Sequence, residues 1–347
     1  MINHNATHSV ENFIEKALYD KNFGYYSKKY PFGKKGDFVT APIISPLFSE
    51  MITVWVISYW INLGKPKKFS FVELGPGNGY FCKTFCRVLN NFPEFKKSVK
   101  VYLLERSEKL VKFQKSFIKD KNVSWIKNFS QIKSGPILFF GNEFFDSIPI
   151  KQFEKKKSKI YEKFLKFEKG KFKKFIYKKS SKRITKELYN FNLVKKGTIE
   201  YPQKGLKILD SIIKKIQKLK GGILLIDYGY TKAQGIDTLQ SLKSHKKNIY
   251  YKNIGRADIT CLVNFKLLNK FFLKKKLVSN DIVDQSFFLK KLGIVERSEI
   301  LSKDMNFKDK SDLYYRLERL LSEKKMGSLF KVLFAANNKT KFNLGFK

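Results

Sequence analysis

The residues with the clearest chemical potential are Val72-Glu73-Leu74-Gly75-Pro76-Gly77-Asn78-Gly79. Glycines at alternate positions let a strand turn sharply into a helix while the backbone passes close to a ligand. A dinucleotide loop of the G-x-G-x-x-G type would need its third glycine at position 80, where Tyr80 stands. The spacing here is G-x-G-x-G behind an acidic residue, which suits the methionine part of a cofactor better than a pyrophosphate. Glu73, Gly75, Gly77 and Gly79 are therefore candidate cofactor-binding residues; the alternative is a purely structural strand-turn-helix. Glu105 closes the run Leu103-Leu104-Glu105. A carboxylate is acceptor-only and so takes hydrogen bonds from both hydroxyls of a ribose; the alternative is a strand-end acid facing water. Asn128 is expected either to reach the amino group of an adenine or to serve as a turn residue.

A second loop, Gly141-Asn142-Glu143-Phe144-Phe145-Asp146-Ser147-Ile148-Pro149, follows another apolar run. In a parallel sheet the C-terminal ends of the strands line the site, so this loop is expected to face the reacting group. It lacks the Asn-Pro-Pro-aromatic pattern of enzymes that methylate exocyclic base nitrogens, because Glu143 and Phe144 stand where the prolines would be. Glu143 and Asp146 lie three apart, and paired carboxylates clamp a guanidinium bidentately. Asp146 has the competing reading of a helix N-cap. Asp227 in Asp227-Tyr228-Gly229 closes a later strand and is expected at the same rim. Glu143, Asp146 and Asp227 are thus the candidate catalytic residues. His245, a lone histidine nearby in sequence, reads as structural. Cys82, Cys86 and Cys261 are too few and badly placed for a disulfide framework or a zinc site, and no metal is expected.

The elements that must position these residues are legible as alternation. Strand runs are expected at 69–74, 99–105, 123–126, 136–140 and 222–227, with helical spacing over 80–89 and 107–118. That order signals a parallel sheet with helices on both faces, an α/β Rossmann-like fold. Ser9 caps a helix ending at Tyr19, and a second apolar helix surrounds residues 51–60. Between the fourth and fifth strands lies a Lys- and Phe-rich stretch of period two, expected to form an inserted antiparallel ribbon plus the helix 205–219. The tail reads as helix 265–275, strand 281–289, helix 310–325 and strand 330–335. The expected organisation is an N-terminal helical segment 1–65, a cofactor-binding half 66–150, an insertion lobe 151–220 and the remainder of the Rossmann-like domain 221–347.

The bulk composition bounds the partners. Apolar residues make up 43% of the 347, too many for a disordered chain. The formal net charge is +41, yet only seven of the basic residues are arginine. Readers of phosphates and bases favour arginine for its planar fork. The lysine excess, with abundant Asn, Ile and Phe, reads as drift of an AT-rich coding sequence ahead of an RNA partner. No apolar run approaches the roughly 20 residues that span a bilayer. The first residues carry neither a signal pattern nor an Arg-rich presequence, so a bacterial cytoplasmic location is expected ahead of a mitochondrial matrix one.

Taken together these strings resemble the MidA-type family of protein arginine methyltransferases, the complex I assembly methyltransferases. The marks are Gly24-Tyr25-Tyr26, Gly36-Asp37-Phe38-Val39-Thr40-Ala41-Pro42 with Ile44-Ser45, Val72 to Gly77, and Asn142 to Asp146 with Pro149. They continue through Asp227-Tyr228-Gly229, Asp237-Thr238-Leu239, Ala257-Asp258-Ile259-Thr260 and Met326-Gly327, over almost the whole chain. The resemblance implies a class I methyltransferase that uses S-adenosyl-L-methionine. It also implies an arginine of the 49-kDa-type subunit of respiratory complex I as acceptor. Asn78, Asn128 and Asn264 depart from the family pattern, standing where Arg, Asp and Asp are usual. The alternatives are methylation of RNA or a small molecule, and a non-enzymatic assembly chaperone that retains the fold.

Overall fold

The structure is a computed structural model that describes residues 5–28, 40–232, 235–243, 246–337 and 342–347. Residues 36–39 of the Gly36 string and His245 lie outside the described residues. The chain divides into two compact units, one of residues 1–38, 145–210 and 230–270, the other of 39–144, 211–229 and 271–347. The segment 1–65 is thereby shared between both.

The second unit carries the main sheet. Its path runs Val278–Ser279, Phe330–Ala336, Gly221–Tyr230, Ile137–Asn142, Phe69–Leu74, Val99–Leu104 and Val123–Ile126. The last five are parallel to one another, and Phe330–Ala336 is antiparallel to Gly221–Tyr230. Phe69–Leu74 is buried at every position, as a central strand covered on both faces must be. From it the chain moves outward to Val99 and Val123, then returns to Ile137 on its other side. That reversal makes a topological switch point at the C-terminal ends of Phe69–Leu74 and Ile137–Asn142, the place where ligands bind in a Rossmann-like sheet.

The helix Pro46–Asn62 is apolar over most of its circumference and buries residues from Leu47 and Phe48 to Tyr59 and Trp60, while the stripe Glu50, Val54 and Ser58 stays partly exposed. Ser45 caps it by accepting from the N–H of Leu47 at 3.3 Å. Trp55 is fully buried and donates its indole N–H to the carbonyl of Leu344 at 2.9 Å, so its one polar atom is satisfied.

The first unit holds an antiparallel sheet in the order Ala6–Ser9, Lys159–Glu168, Lys151–Lys156, Thr198–Tyr201, with Lys171–Lys179 also on Lys159–Glu168. Period-two patterning is clearest over the second half of Lys159–Glu168: Lys163, Leu165 and Phe167 share a buried face while Phe164, Lys166 and Glu168 alternate on the half-exposed one. The helix Val10–Tyr19 packs Phe13 against Phe167 with ring centroids 5.8 Å apart. A smaller sheet of Gln240–Lys243, Lys246–Asn248 and Asp258–Thr260 completes this unit.

One expectation is corrected. The strand expected over 281–289 is confined to Val283–Asp284, and Gln285–Lys291 is helical. Phe288 and Leu289 are fully buried, and Gln285 donates its side-chain amide to the carbonyl of Leu320 at 3.0 Å. Tertiary contacts of this kind decide short apolar runs that periodicity leaves open. The helix Ile294–Ser302 was also absent from the sequence reading. Among the described residues no helix is long and apolar enough to cross a membrane.

Candidate functional site

The glycine loop stands at this switch point, directly after Phe69–Leu74. Gly75, Gly77 and Gly79 all adopt left-handed backbone, with φ of +60°, +54° and +74°. A Cβ on Gly75 would lie 2.9 Å from a ring carbon of Phe144, so the strand-to-helix turn and the second loop approach too closely for a side chain. The N–H of Gly75 donates to the carbonyl of Leu104 at 3.0 Å, which ties this loop to the end of the neighbouring strand. Gly79 opens the helix Tyr80–Leu89, whose start is supported by Asn78: its side-chain oxygen accepts from the N–H of Tyr80 at 3.0 Å.

Two carboxylates stand behind this loop. Glu73 is 5% exposed and its Oε2 has no hydrogen-bond partner. Burial, with the charge of Glu105 adding to it, pushes its carboxyl up to about 8. Glu105 follows the strand Val99–Leu104. It is pushed up to about 7 by burial, against hydrogen bonds from the backbone of Ser107, Arg106 and Gly77 and from the Gln114 side chain. The Ser107 N–H approaches its Oε1 at 2.8 Å.

Gln114 was not singled out in the sequence, yet it joins these parts. It is fully buried in the helix Glu108–Phe117. Its Nε2 donates to the carbonyl of Gly77 at 2.8 Å and its Oε1 accepts from the indole N–H of Trp125 at 2.8 Å. The one available signal was a glutamine four residues after Leu110, a polar residue on the apolar stripe of a helix.

Asn128 is exposed and works locally. Its side-chain oxygen accepts from the N–H of Ser130 at 3.0 Å, and it forms a capping box with Gln131. The turn reading given to it in the sequence therefore has a concrete hydrogen-bonding basis.

In the second loop, Glu143 follows directly on Ile137–Asn142 with a φ of +51°, a left-handed conformation that costs a non-glycine residue about 1–2 kcal/mol. Its N–H donates to the carbonyl of Ile226 at 2.9 Å, which joins it to the end of the Asp227 strand. Its Oε1 accepts from the N–H of Ala41 at 3.3 Å and from Asn142 Nδ2 at 3.1 Å. Asp227 is 2% exposed, and its carboxylate accepts from the N–H of Tyr228 at 2.9 Å. The strand ends thus bring Glu143 and Asp227 to one edge of the sheet.

Asp146 belongs to the first unit. It is buried in a turn rather than at a helix start, and its carbonyl accepts from the N–H of Cys261 at 3.0 Å. In the same unit Tyr26 donates to Asp258 at 3.3 Å, and Tyr19 stacks on Tyr26 with ring centroids 5.5 Å apart. The Asp237-Thr238 string has a structural task. Lys163 donates to Asp237 at 3.0 Å, and the Thr238 hydroxyl donates to Glu200 at 2.6 Å. Gln152 bridges Glu200 and Asp237.

A Rossmann-like sheet whose first strand ends in a glycine turn backed by a buried acid, with a second acid closing the next strand, has the architecture of a class I methyltransferase. The comparisons agree. Residues 51–282 match the family described as "Putative S-adenosyl-L-methionine-dependent methyltransferase", and the chain belongs to that family. Its cofactor is S-adenosyl-L-methionine. The chain is 28% identical to mouse protein arginine methyltransferase NDUFAF7, mitochondrial, over 93% of its own length and 79% of the relative's. It is 30% identical to the Caenorhabditis elegans NDUFAF7 homolog, mitochondrial, over 83% of this chain and 74% of that one. The fold matches a Burkholderia thailandensis protein crystallised with S-adenosyl-homocysteine, at a TM-score of 0.79 and 20% identity, covering 98% of this chain and 89% of that one. The expected bacterial cytoplasmic location is corrected by the NDUFAF7 relatives, which are named as mitochondrial proteins. That expectation rested on the first residues alone, which do not determine a compartment.

Proposed function

We propose that the enzyme methylates an arginine side chain of a protein, with the Gly75–Gly79 loop, Glu73 and Glu105 holding the cofactor. The residues present fit that group. The turn excludes any side chain at Gly75, and the unpartnered Oε2 of Glu73 offers an acceptor beside it. Bound S-adenosyl-L-methionine supplies an electrophilic methyl group on a sulfonium. Asn128 is assigned no more than an edge contact, since its oxygen already serves the cap.

The observation that carries the acceptor assignment is the conformation of Glu143. Backbone strain at a non-glycine residue persists where the surroundings over-determine it, and such residues cluster at functional sites. Here the strain is held by the bond to Ile226, and it presents a carboxylate already steered by Ala41 and Asn142. A carboxylate so fixed orients a guanidinium and localises a lone pair on one nitrogen. A guanidinium has a pKa of about 12.5 or higher, so its proton must leave with the transfer or just after it. Glu143 is placed by this reading to polarise that proton, with Asp227 on the neighbouring strand end as a supporting acid.

The named relatives are protein arginine methyltransferases, and the sequence resemblance extends the reading to an arginine of the 49-kDa-type subunit of complex I. The test is Glu143→Gln. Turnover on an arginine-containing protein substrate is expected to fall by roughly 10²-fold or more, with cofactor binding by calorimetry retained. Unchanged turnover would remove Glu143 from the chemistry, and methylation appearing on a residue other than arginine would overturn the acceptor.

A further inference from the structure

Glu73 is a buried acid with nothing cationic to hold it. Among the described residues no lysine or arginine acts on it, and its Oε2 has no donor. The titratable groups that face it are Glu105, from the end of the adjacent strand, and Cys82, from the helix Tyr80–Leu89. Cys82 shares a hydrogen bond with Cys86, which with burial and the nearby carboxylates Glu73 and Asp120 keeps it a thiol. It neither supplies charge to Glu73 nor loses a proton near neutral pH.

The two acids differ in support. Glu105 receives N–H groups from Ser107, Arg106 and Gly77 and the amide of Gln114, the donor set that stabilises an ionised carboxylate. Glu73 receives no such set. Two neighbouring carboxyl groups, one buried and one half-buried, do not both ionise at ordinary cost, and the proton stays on the buried one without donors. Glu105 and the glycine loop are also one mechanical piece, because Gly77 donates to Glu105 while its carbonyl is held by Gln114.

We infer that the Glu73–Glu105 pair is a proton-linked cation receptor: it holds one proton before the cofactor binds and releases it to solvent when a cationic centre of the cofactor arrives. The inference rests on the reading of this loop as the cofactor site. S-adenosyl-L-methionine carries an ammonium and a sulfonium, so charge balance improves when a neutral acid beside it becomes a carboxylate. No bond of the ligand changes. The carboxyl O–H breaks, its electron pair stays on oxygen, and the proton passes to the buffer. The shift toward ionisation has the physical cause that opposite charge nearby favours the charged form.

Calorimetric titration of the full chain with S-adenosyl-L-methionine at pH 7 tests this, in phosphate and in Tris, whose ionisation enthalpies differ widely. The heats are expected to differ by an amount equal to roughly one released proton per site, and affinity should tighten by up to tenfold per pH unit between about pH 6 and 7.5. Glu73→Gln should bind with the same heat in both buffers and a flat pH profile. Glu105→Gln keeps the measurement informative if that variant does not fold: without the second acid, the midpoint of the affinity profile should move to lower pH. Binding by wild type with equal heats in the two buffers would overturn the proton linkage and leave the cofactor site standing. Buffer-dependent heat that persists in Glu73→Gln, or an unmoved midpoint in Glu105→Gln, assigns the proton elsewhere and overturns it too. No heat at all from folded wild type would overturn the cofactor site itself and the linkage with it.

Discussion

A carboxyl group costs little on a surface and a great deal where it is dry, and Glu73 is dry. Its ordinary value near 4.5 rises to about 8 in the folded chain, so the native state keeps a proton that the unfolded chain gives up much earlier. Between those values the native state binds more protons, and stability must fall as pH rises. The loss is on the order of 2–4 kcal/mol between pH 5 and pH 8. Glu73→Gln removes it. The melting temperature of that variant relative to wild type should climb steadily from pH 5.5 to pH 8.5, and a gap that stays constant would show that Glu73 titrates normally. The type of residue at 73, 105, 143 and 227 was legible from the sequence, because acids at strand ends beside glycine turns follow the logic of the fold. Their environments were not. No pattern in the sequence says that Glu105 receives backbone donors while one oxygen of Glu73 receives none.

At the scale of elements, the glycine turn is held by a neighbour that belongs to a different helix. Gln114 satisfies the carbonyl of Gly77 and the indole of Trp125 at once, inside the protein. Gln114→Met preserves the volume and strands both groups. Leaving a buried polar group unsatisfied costs about 1–3 kcal/mol, so the variant should lose roughly 2–4 kcal/mol in urea unfolding. A loss below about 0.5 kcal/mol would mean the loop does not depend on it. The strands and helices of the main sheet were read closely from periodicity, since Phe69–Leu74 and Tyr80–Leu89 are long, regular and bounded by turn residues. The segment after Asp281 was misread for the opposite reason. Its apolar run is short, and burial of Phe288 and Leu289 fixed a helix that local spacing did not specify.

At the scale of the whole molecule, a net charge of +41 on 347 residues is a self-repelling surface. Many of the ion pairs among the described residues are exposed, such as Lys65–Glu94 at 2.9 Å, and exposed pairs contribute about 0–1 kcal/mol each. Repulsion summed over the surface therefore outweighs them, and salt screens it within roughly 8–10 Å at moderate ionic strength. Raising sodium chloride from about 50 to 300 mM should raise the melting temperature by a few degrees. A fall would show that attractive pairs dominate and that the lysines are placed rather than merely abundant.

By itself the sequence determined the class of sheet, the glycine turn, the chemical types at the strand ends and the resemblance to a methyltransferase family. These follow from local rules: periodicity, turn chemistry and the order of strands and helices. Tertiary structure decided which of those groups are dry, which are held and which are strained. Gln114 became a junction only once the helix Glu108–Phe117 packed beside the glycine turn. Glu143 became a left-handed, oriented acid only once the strand ends met. Such properties depend on residues distant in the chain, such as Gly77 beside Gln114 and Glu143 beside Ile226, and no local window of sequence contains both partners.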